Sequence, residues 1–471
     1  MRVSLHGNVA QNAYLLAYGL RNYTTVEADS YDRGTGVAMW TPQWEHGDFD
    51  IARLGADSSF FTWAQAPMRN GFTRPSWARI QGENDDPLWF PDEQAQREWY
   101  GVHKASGGQP CMPVFETFSG PARFFEPCST MELPEHVDEI PGLSLPGLLK
   151  LSRWRTTAAL QKQYDLMVLF GAEARNGVML PAKSYIAFEH ATLRHVEQEA
   201  STDQRLLAAA YRRAAHVVIT NADCRRSAEV LGLENYSFIP HPVDTEWPKF
   251  HPGATWRSAQ LRKDLLAWTR AEVLVFSPTR HSSNPESGMK ANEVLLHAFA
   301  QYMRSPELPR AHLLLCLWGR DVPNSQELSE ELGIAQYVSW VPLLPKLQLA
   351  DLYRACDVVC DQFSTEVGSF GTITVEALAC GKPVITHINR EYHTWCEEVL
   401  PPPPALEASS AQELFQQLER VATHQNGTMT LGHQGFEWVQ EYHSLERVAR
   451  LHEALYTEVL AEQRARELVT T

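Results

Sequence analysis

The stretch from Glu366 to Ile385, EVGSFGTITVEALACGKPVI, holds the residues whose chemistry is easiest to name. It opens on small residues, Gly368, Ser369 and Gly371, with Phe370 between them. From Thr372 to Cys380 the spacing is helical, and Gly381 and Pro383 stop the helix. A glycine-rich turn feeding a helix offers backbone N–H groups and the positive end of the helix dipole, which together make a seat for phosphate. Glu376, in the first turns, is placed to accept hydrogen bonds from a diol such as a ribose. An acid there also stabilises its own helix by about 0.3–1 kcal/mol, so the position alone carries both readings. Two cations come earlier. Arg280 follows the apolar run Val273–Phe276, and Lys290 stands just ahead of a helical stretch, Asn292–Met303. Arginine can grip a diphosphate bidentately and lysine acts as a point charge. Either cation alone is an ordinary solvated residue; with the glycine-rich turn the pair points to a diphosphate.

These residues need elements to position them. The chain has 471 residues, enough for two large domains or three smaller ones. Apolar residues make up 44% and charged residues 21%, which is globular usage. The N-terminal part alternates strand and helix: Val3–Leu5, then a helix over Ala10–Leu20, then a strand over Thr24–Ala28. That rhythm starts a βαβ unit and a parallel sheet. From Tyr31 to Pro146 it is lost among Pro, Gly, Asp and aromatics, and six of the 14 tryptophans fall before position 100. This segment reads as a loop-rich elaboration whose tryptophans either stack on a sugar or lipid or pack locally. Buried strands resume at Asp165–Phe170, Ser184–Phe188, His216–Thr220 and Ser237–Ile239. Pro240 to Pro252 reads as a linker. A second series follows, with strands at Val273–Phe276, His312–Leu317, Tyr337–Val341, Val358–Val359 and Pro383–Thr386, closed by the prolines 401–404. Glu441–Leu468 reads as amphipathic helix. The expected division is a first Rossmann-like domain over 1–243, with the elaboration at 31–146, a second over 244–440 and a C-terminal helix over 441–471. The fold class is α/β, two Rossmann-like domains facing a central cleft.

Charge excludes some classes of function. Lys and Arg number 41 against 57 Asp and Glu, a formal charge of −16. Such a surface repels a polyanion, so no nucleic-acid partner is expected, and membrane association is at most peripheral. No apolar run reaches the roughly 18 residues of a membrane span. The N-terminus, MRVSLHG, lacks the blocks of a secretion signal, so the expected place is the cytoplasm. The eight cysteines are scattered; Cys356 and Cys360 read as buried thiols, and no metal-ligand spacing occurs. No cofactor and no metal are expected.

The second half resembles the retaining glycosyltransferases of the two-domain GT-B fold, family 4, also called glycosyl transferases group 1. The residues that carry the resemblance are Ile239–Asp244, Arg280 with Lys290, His297–Ala300, Leu315–Gly319, Tyr337–Val341, Leu349–Asp357 and the Gly368–Ile385 block, in matching order and spacing. The first half resembles the family only in its opening strand-loop-helix and its last strands. The resemblance implies a nucleotide-sugar donor, with Arg280 and Lys290 holding its diphosphate and supporting the leaving group. It implies that Glu376 binds the nucleotide ribose and that the turn Ser369–Thr372 meets sugar and phosphate through its backbone. Val341 matches the place where the base-binding loop passes, and Gly7 the place where the first domain approaches the donor. The family has a Glu eight positions before Glu376, which normally contacts the donor sugar; here that position is Gly368. Either Glu366 reaches in from a reshaped loop, or backbone amides and Ser369 take its place.

The implied reaction transfers a hexose-type sugar with retention of anomeric configuration and without a metal. The acceptor, a glycan, lipid-linked intermediate, protein or small molecule, would bind the first domain. A polar residue of that domain is needed near the reacting carbon. His190, with Glu189 beside it, is the candidate; a buried, hydrogen-bonded histidine is the equal alternative. His6 and Asn8 flank Gly7 and can touch donor or acceptor, while His241 between two prolines shapes its turn. A dinucleotide oxidoreductase is disfavoured because the loop after the first strand has one glycine and no GxGxxG, and no Walker A pattern occurs. A catalytically silent GT-B protein acting as a binding partner, or a phosphorylase on the same fold, remain as rivals.

Overall fold

A computed structural model of the chain describes residues 1–32, 38–49, 68–80, 160–283, 289–365, 368 and 370–470. Two parallel sheets organise it. The first runs β3-β2-β1-β4-β5-β6-β7, from β1 (Arg2–His6), β2 (Glu27–Asp32), β3 (Ala78–Ile80), β4 (Leu166–Phe170), β5 (Tyr185–Phe188), β6 (His216–Ile219) and β7 (Tyr236–Phe238). The second runs β10-β9-β8-β11-β12-β13, from β8 (Val273–Ser277), β9 (Ala311–Cys316), β10 (Val338–Val341), β11 (Val358–Cys360), β12 (Val384–Thr386) and β13 (Leu406–Glu407). Every recorded pairing within these sheets is parallel. Strands buried on both faces read as continuous apolar runs, which is why LMVLF, VLVFS and AHLLLC stand out in the sequence.

In each sheet the strand order reverses beside the first strand, between β1 and β4 and between β8 and β11. Loops leaving the carboxyl ends on either side of such a point splay apart and open a crevice. Arg280 leaves β8 there, and Asp361 and Gln362 leave β11.

Three expectations change. The second strand is Glu27–Asp32 rather than Thr24–Ala28. Its sequence, EADSYD, is polar yet buried, because Asp29 accepts from Arg21 (2.8 Å) and Tyr164 (2.6 Å) and Asp32 from Arg74 (2.9 Å). Within the presumed loop-rich segment, Pro42–His46 is a helix and β3 an edge strand. After the prolines 401–404, β13 and the helix Ala411–Thr423 still belong to the second sheet's layer, so the series does not end there.

The C-terminal stretch is two helices, Gln425–Tyr442 and Leu445–Thr470. The second returns to the first sheet. Val448, Ala449, Leu455, Tyr456 and Val459 are buried in one cluster with Val3, Leu5, Val168 and Phe170. The chain therefore crosses between the halves twice, and the crossings touch: Val243 N–H donates to His443 O at 2.8 Å. A third tie is ionic. Buried Lys249, in the linker, donates to Glu45 of the helix Pro42–His46 and to Asp244, each at 2.8 Å. Burial alone would lower the Lys249 ammonium, but the two carboxylates hold it above its ordinary value. Glu45→Gln keeps the shape and leaves Lys249 one carboxylate, so we expect a loss of about 1–3 kcal/mol in unfolding free energy. An unchanged urea midpoint would show that the triad does not brace the halves.

Candidate functional site

Two adjoining cavities, about 460 and 360 Å³, fill the cleft between the sheets. They share His190, His241, Val243, Arg280, Lys290, Gly371 and Thr372 on their walls. The second half supplies Arg280, three residues past β8, and Lys290, two residues before the helix Asn292–Met303. Lys290 Nζ donates to Gln362 Oε1 at 2.8 Å. Burial lowers the Lys290 ammonium from its ordinary value; Asp361 opposes this, while the charges of Arg280 and Arg194 add to it. Burial also lowers the Arg280 guanidinium. Burial disfavours the charged form of both, and a diphosphate between them would favour it again.

The helix Thr372–Ala379 begins at the cleft as expected. One of its leading N–H groups, that of Gly371, is already used: Asp361 Oδ2 accepts from it at 2.6 Å and from Thr374 Oγ1 at 2.8 Å. Glu376 lines the smaller cavity with its carboxylate paired to Lys346 and accepting from Tyr353 Oη at 3.2 Å. Burial raises the Glu376 carboxyl above its ordinary value, and Lys346 counters this.

The first half contributes His190, half-buried after β5, with Nδ1 at 2.9 Å from Asn12 Nδ2 and its ring 5.5 Å from that of His241. Burial lowers its pKa, so its resting form is neutral. Neighbouring Glu189 has a structural task. It is fully buried and accepts from the backbone N–H groups of Ala191 (2.6 Å), Thr220 (2.8 Å) and Asn221 (2.7 Å), which ties the loops after β5 and β6 together.

Phe370, Gly371 and Thr372 thus meet His190, Arg280 and Lys290 on one cavity, and Glu376 joins Arg280 and Lys290 on the other. Other expected residues lie elsewhere. Gly7 follows β1 at φ +96°, and a Cβ there would sit 2.7 Å from Glu173 Cγ, so it shapes the loop and does not wall either cavity. Val341 ends β10, its carbonyl accepting from Leu317 N at 2.8 Å; Leu343 and Leu344, just beyond, line the cleft instead. His6 is buried and stacked on Tyr31 at 4.7 Å, and Asn8 bonds Gln11, Trp40 and Tyr14; neither lines the two cavities. Gly368 lies against Asp223 and off the cavity walls. Glu366 and Ser369 lie outside the described residues, as do Trp63, Trp89 and Trp99.

Sequence reasoning missed Arg194, Asp223, Lys346 and Asp361. None sits in a motif. Lys346, 30 residues before Glu376, and Asp223, from the opposite half, reach the cleft only through the fold. The Cys356 and Cys360 thiols are buried and unpaired. Among the described residues, no group of three or more His, Cys, Asp or Glu side chains is placed to hold a metal ion, and no helix is long and apolar enough to cross a membrane.

Residues 287–392 match the family model described as glycosyl transferases group 1. Among curated proteins, the chain is similar to the D-inositol 3-phosphate glycosyltransferase of Corynebacterium jeikeium, 29% identical over 31% of this chain and 34% of that protein. The protein of the same name from Thermomonospora curvata is 38% identical over 21% of this chain and 24% of its own length. The matches span a quarter to a third of those relatives. Among solved structures, the sucrose-phosphate synthase of Thermosynechococcus elongatus superposes at a TM-score of 0.60, 18% identical, over 98% of this chain and all of that one. Anabaena HepE, solved with UDP and glucose, gives 0.60 at 15% identity over 97% of this chain and 100% of its own. Residues 287–392 are thus similar to the group 1 glycosyl transferases, and the chain that carries them has the two-domain GT-B fold.

Proposed function

We propose that this protein is a glycosyltransferase that moves a hexose from a nucleotide-sugar donor to an acceptor, with retention and without a metal. The observation that carries the reading is the meeting of Arg280, Lys290 and the start of the helix Thr372–Ala379 on one cleft between two Rossmann-like halves. That arrangement concentrates positive potential where a departing diphosphate would gather negative charge, which a metal-free transferase requires. HepE of the same fold was solved with UDP and with UDP-glucose, which supports a nucleotide-sugar donor here.

In this reading the bond from the anomeric carbon to the diphosphate oxygen breaks as the bond to the acceptor oxygen forms. The acceptor proton passes to the departing phosphate. Arg280 and Lys290 hold the leaving group, and neutral His190 offers a hydrogen bond near the reacting carbon. Glu376 binds the ribose after releasing Lys346, which then faces Glu45 and the incoming phosphates. The acceptor enters from the first half.

The silent-scaffold reading rests on Gly368, where no acid projects, and on the pairing of Glu376 with Lys346. One assay separates the two. Nucleoside-diphosphate release is followed from UDP-, GDP-, ADP- and dTDP-sugars without acceptor, for wild type and Glu376→Ala. The transferase reading expects slow release from one donor, reduced about tenfold or more in the variant by loss of a charged hydrogen bond. No release, and no nucleotide binding by calorimetry, supports the scaffold.

A further inference from the structure

The larger cavity contains one carboxylate that the diphosphate reading does not use. Asp223 stands at the start of the helix Cys224–Val230, yet its side chain makes no capping hydrogen bond. Asp, Asn, Ser and Thr at that position ordinarily bond the free N–H groups of their own helix. Asp223 is instead turned toward Arg194, which holds both its oxygens: Nε to Oδ2 at 2.5 Å and Nη2 to Oδ1 at 3.0 Å. Its side chain is 9% exposed. Arg194 and Asp223 both line the cavity that Arg280, Lys290 and Thr372 line from the other half.

Gly368, from the other half, lies directly against this carboxylate. A Cβ on Gly368 would lie 2.2 Å from Asp223 Cβ, 2.6 Å from Cγ and 3.0 Å from Oδ1. Only a residue without a side chain lets Asp223 occupy that space. An acid beside a diphosphate site is unfavourable unless it is neutralised and has a task there. Arg194 supplies the neutralisation: burial would lower its charge, but Asp223 holds the guanidinium well above its ordinary value. A carboxylate gripped on one side by arginine keeps lone pairs for hydroxyl donors on the other.

We infer that Asp223 hydrogen-bonds hydroxyls of the donor sugar and so helps to determine which sugar is accepted, with Arg194 as its positioning residue. The inference rests on the nucleotide-sugar reading above. Because the carboxylate comes from the first half and the diphosphate cations from the second, sugar recognition requires both halves to be in contact.

The test compares two ligands of one nucleotide. UDP, GDP, ADP and dTDP are screened by calorimetry, and the tightest is compared with its glucose, galactose and N-acetylglucosamine conjugates. Asp223→Asn preserves shape. It is expected to weaken the preferred conjugate about 10- to 100-fold, the range for a hydrogen bond to a charged group, while the nucleoside diphosphate binds within twofold of wild type. Gly368→Ala, which must push Asp223 aside, is expected to give the same split with the carboxylate still present. Equal losses on both ligands in either variant, or no loss on any conjugate, would overturn the role of Asp223 and leave the donor reading standing. A wild type that binds no nucleoside diphosphate would overturn the donor reading and this inference together.

Discussion

Lys290→Ala is expected to slow nucleoside-diphosphate release about 10²- to 10³-fold, the range for removing one preorganised charge donor from a developing oxyanion. The ammonium lies against Gln362 in a cleft it shares with Arg280, so the variant leaves Arg280 to carry the leaving group alone. Lys290→Arg should not restore the rate, since a planar fork does not replace a point charge held at 2.8 Å from Gln362. The pH dependence provides an independent check. Burial lowers the Lys290 ammonium from 10.5. The charged form is the active one, so kcat/KM should fall at alkaline pH earlier than an ordinary lysine would dictate. kcat reports the enzyme–donor complex, where the diphosphate favours the ammonium again, so its alkaline limb should lie higher. Coincident limbs, or a rate in Lys290→Ala within threefold of wild type, would remove Lys290 from the leaving-group site.

The positions of the strands were largely legible because parallel strands buried on both faces read as apolar runs. β4, β8 and β9 are such runs, and the expected positions of β4 through β12 agree within a residue or two. The failures are physical. β2 carries Asp29, Ser30 and Asp32 into the interior, and only partners distant in sequence make that tolerable. β3 and β13 are edge strands of three and two residues, too short to show a period. The helix Leu445–Thr470 was recognisable as amphipathic, but not that its apolar face completes the first sheet's core.

The site divides along the same line. Arg280, Lys290, Gly371, Thr372 and Glu376 stand on or beside elements of one half, where local spacing fixes their direction, and they converge on the cleft. Asp223, Arg194 and Lys346 act across the cleft or between helices, where no spacing in the sequence encodes proximity. Gly368 shows the difference. In sequence it is an acid missing from a resembled pattern; in the fold it is the space that Asp223 needs.

Acid should unfold this protein well before its carboxylates are protonated, and histidines are the cause. His6, His443 and His452 are each under 4% exposed, and burial pulls their pKa values to about 3, 4 and 3. The unfolded chain binds a proton at each near 6.5, whereas the folded chain does not until the lowered value is reached. Stability is therefore full above pH 6.5 and is lost as pH falls from there toward 4. At pH 5 each such histidine costs about 2 kcal/mol, so the three together cost about 6 kcal/mol against a typical total of 5–15 kcal/mol. Glu376 and Asp351, raised by burial, work in the opposite direction. His443 donates Nδ1–H to His241 O at 2.8 Å and is therefore neutral with a partner, whereas neither ring nitrogen of His6 or His452 has one. His452 stacks on Phe188 at 5.8 Å, and His216 adds to the lowering of its pKa. His452→Phe removes two orphan nitrogens from an aromatic site, so it should cut the loss between pH 7.5 and pH 5 by about 2 kcal/mol. Urea melts at the two pH values decide it. Equal loss in wild type and variant would mean that His452 already carries its proton, or finds water, in the folded core.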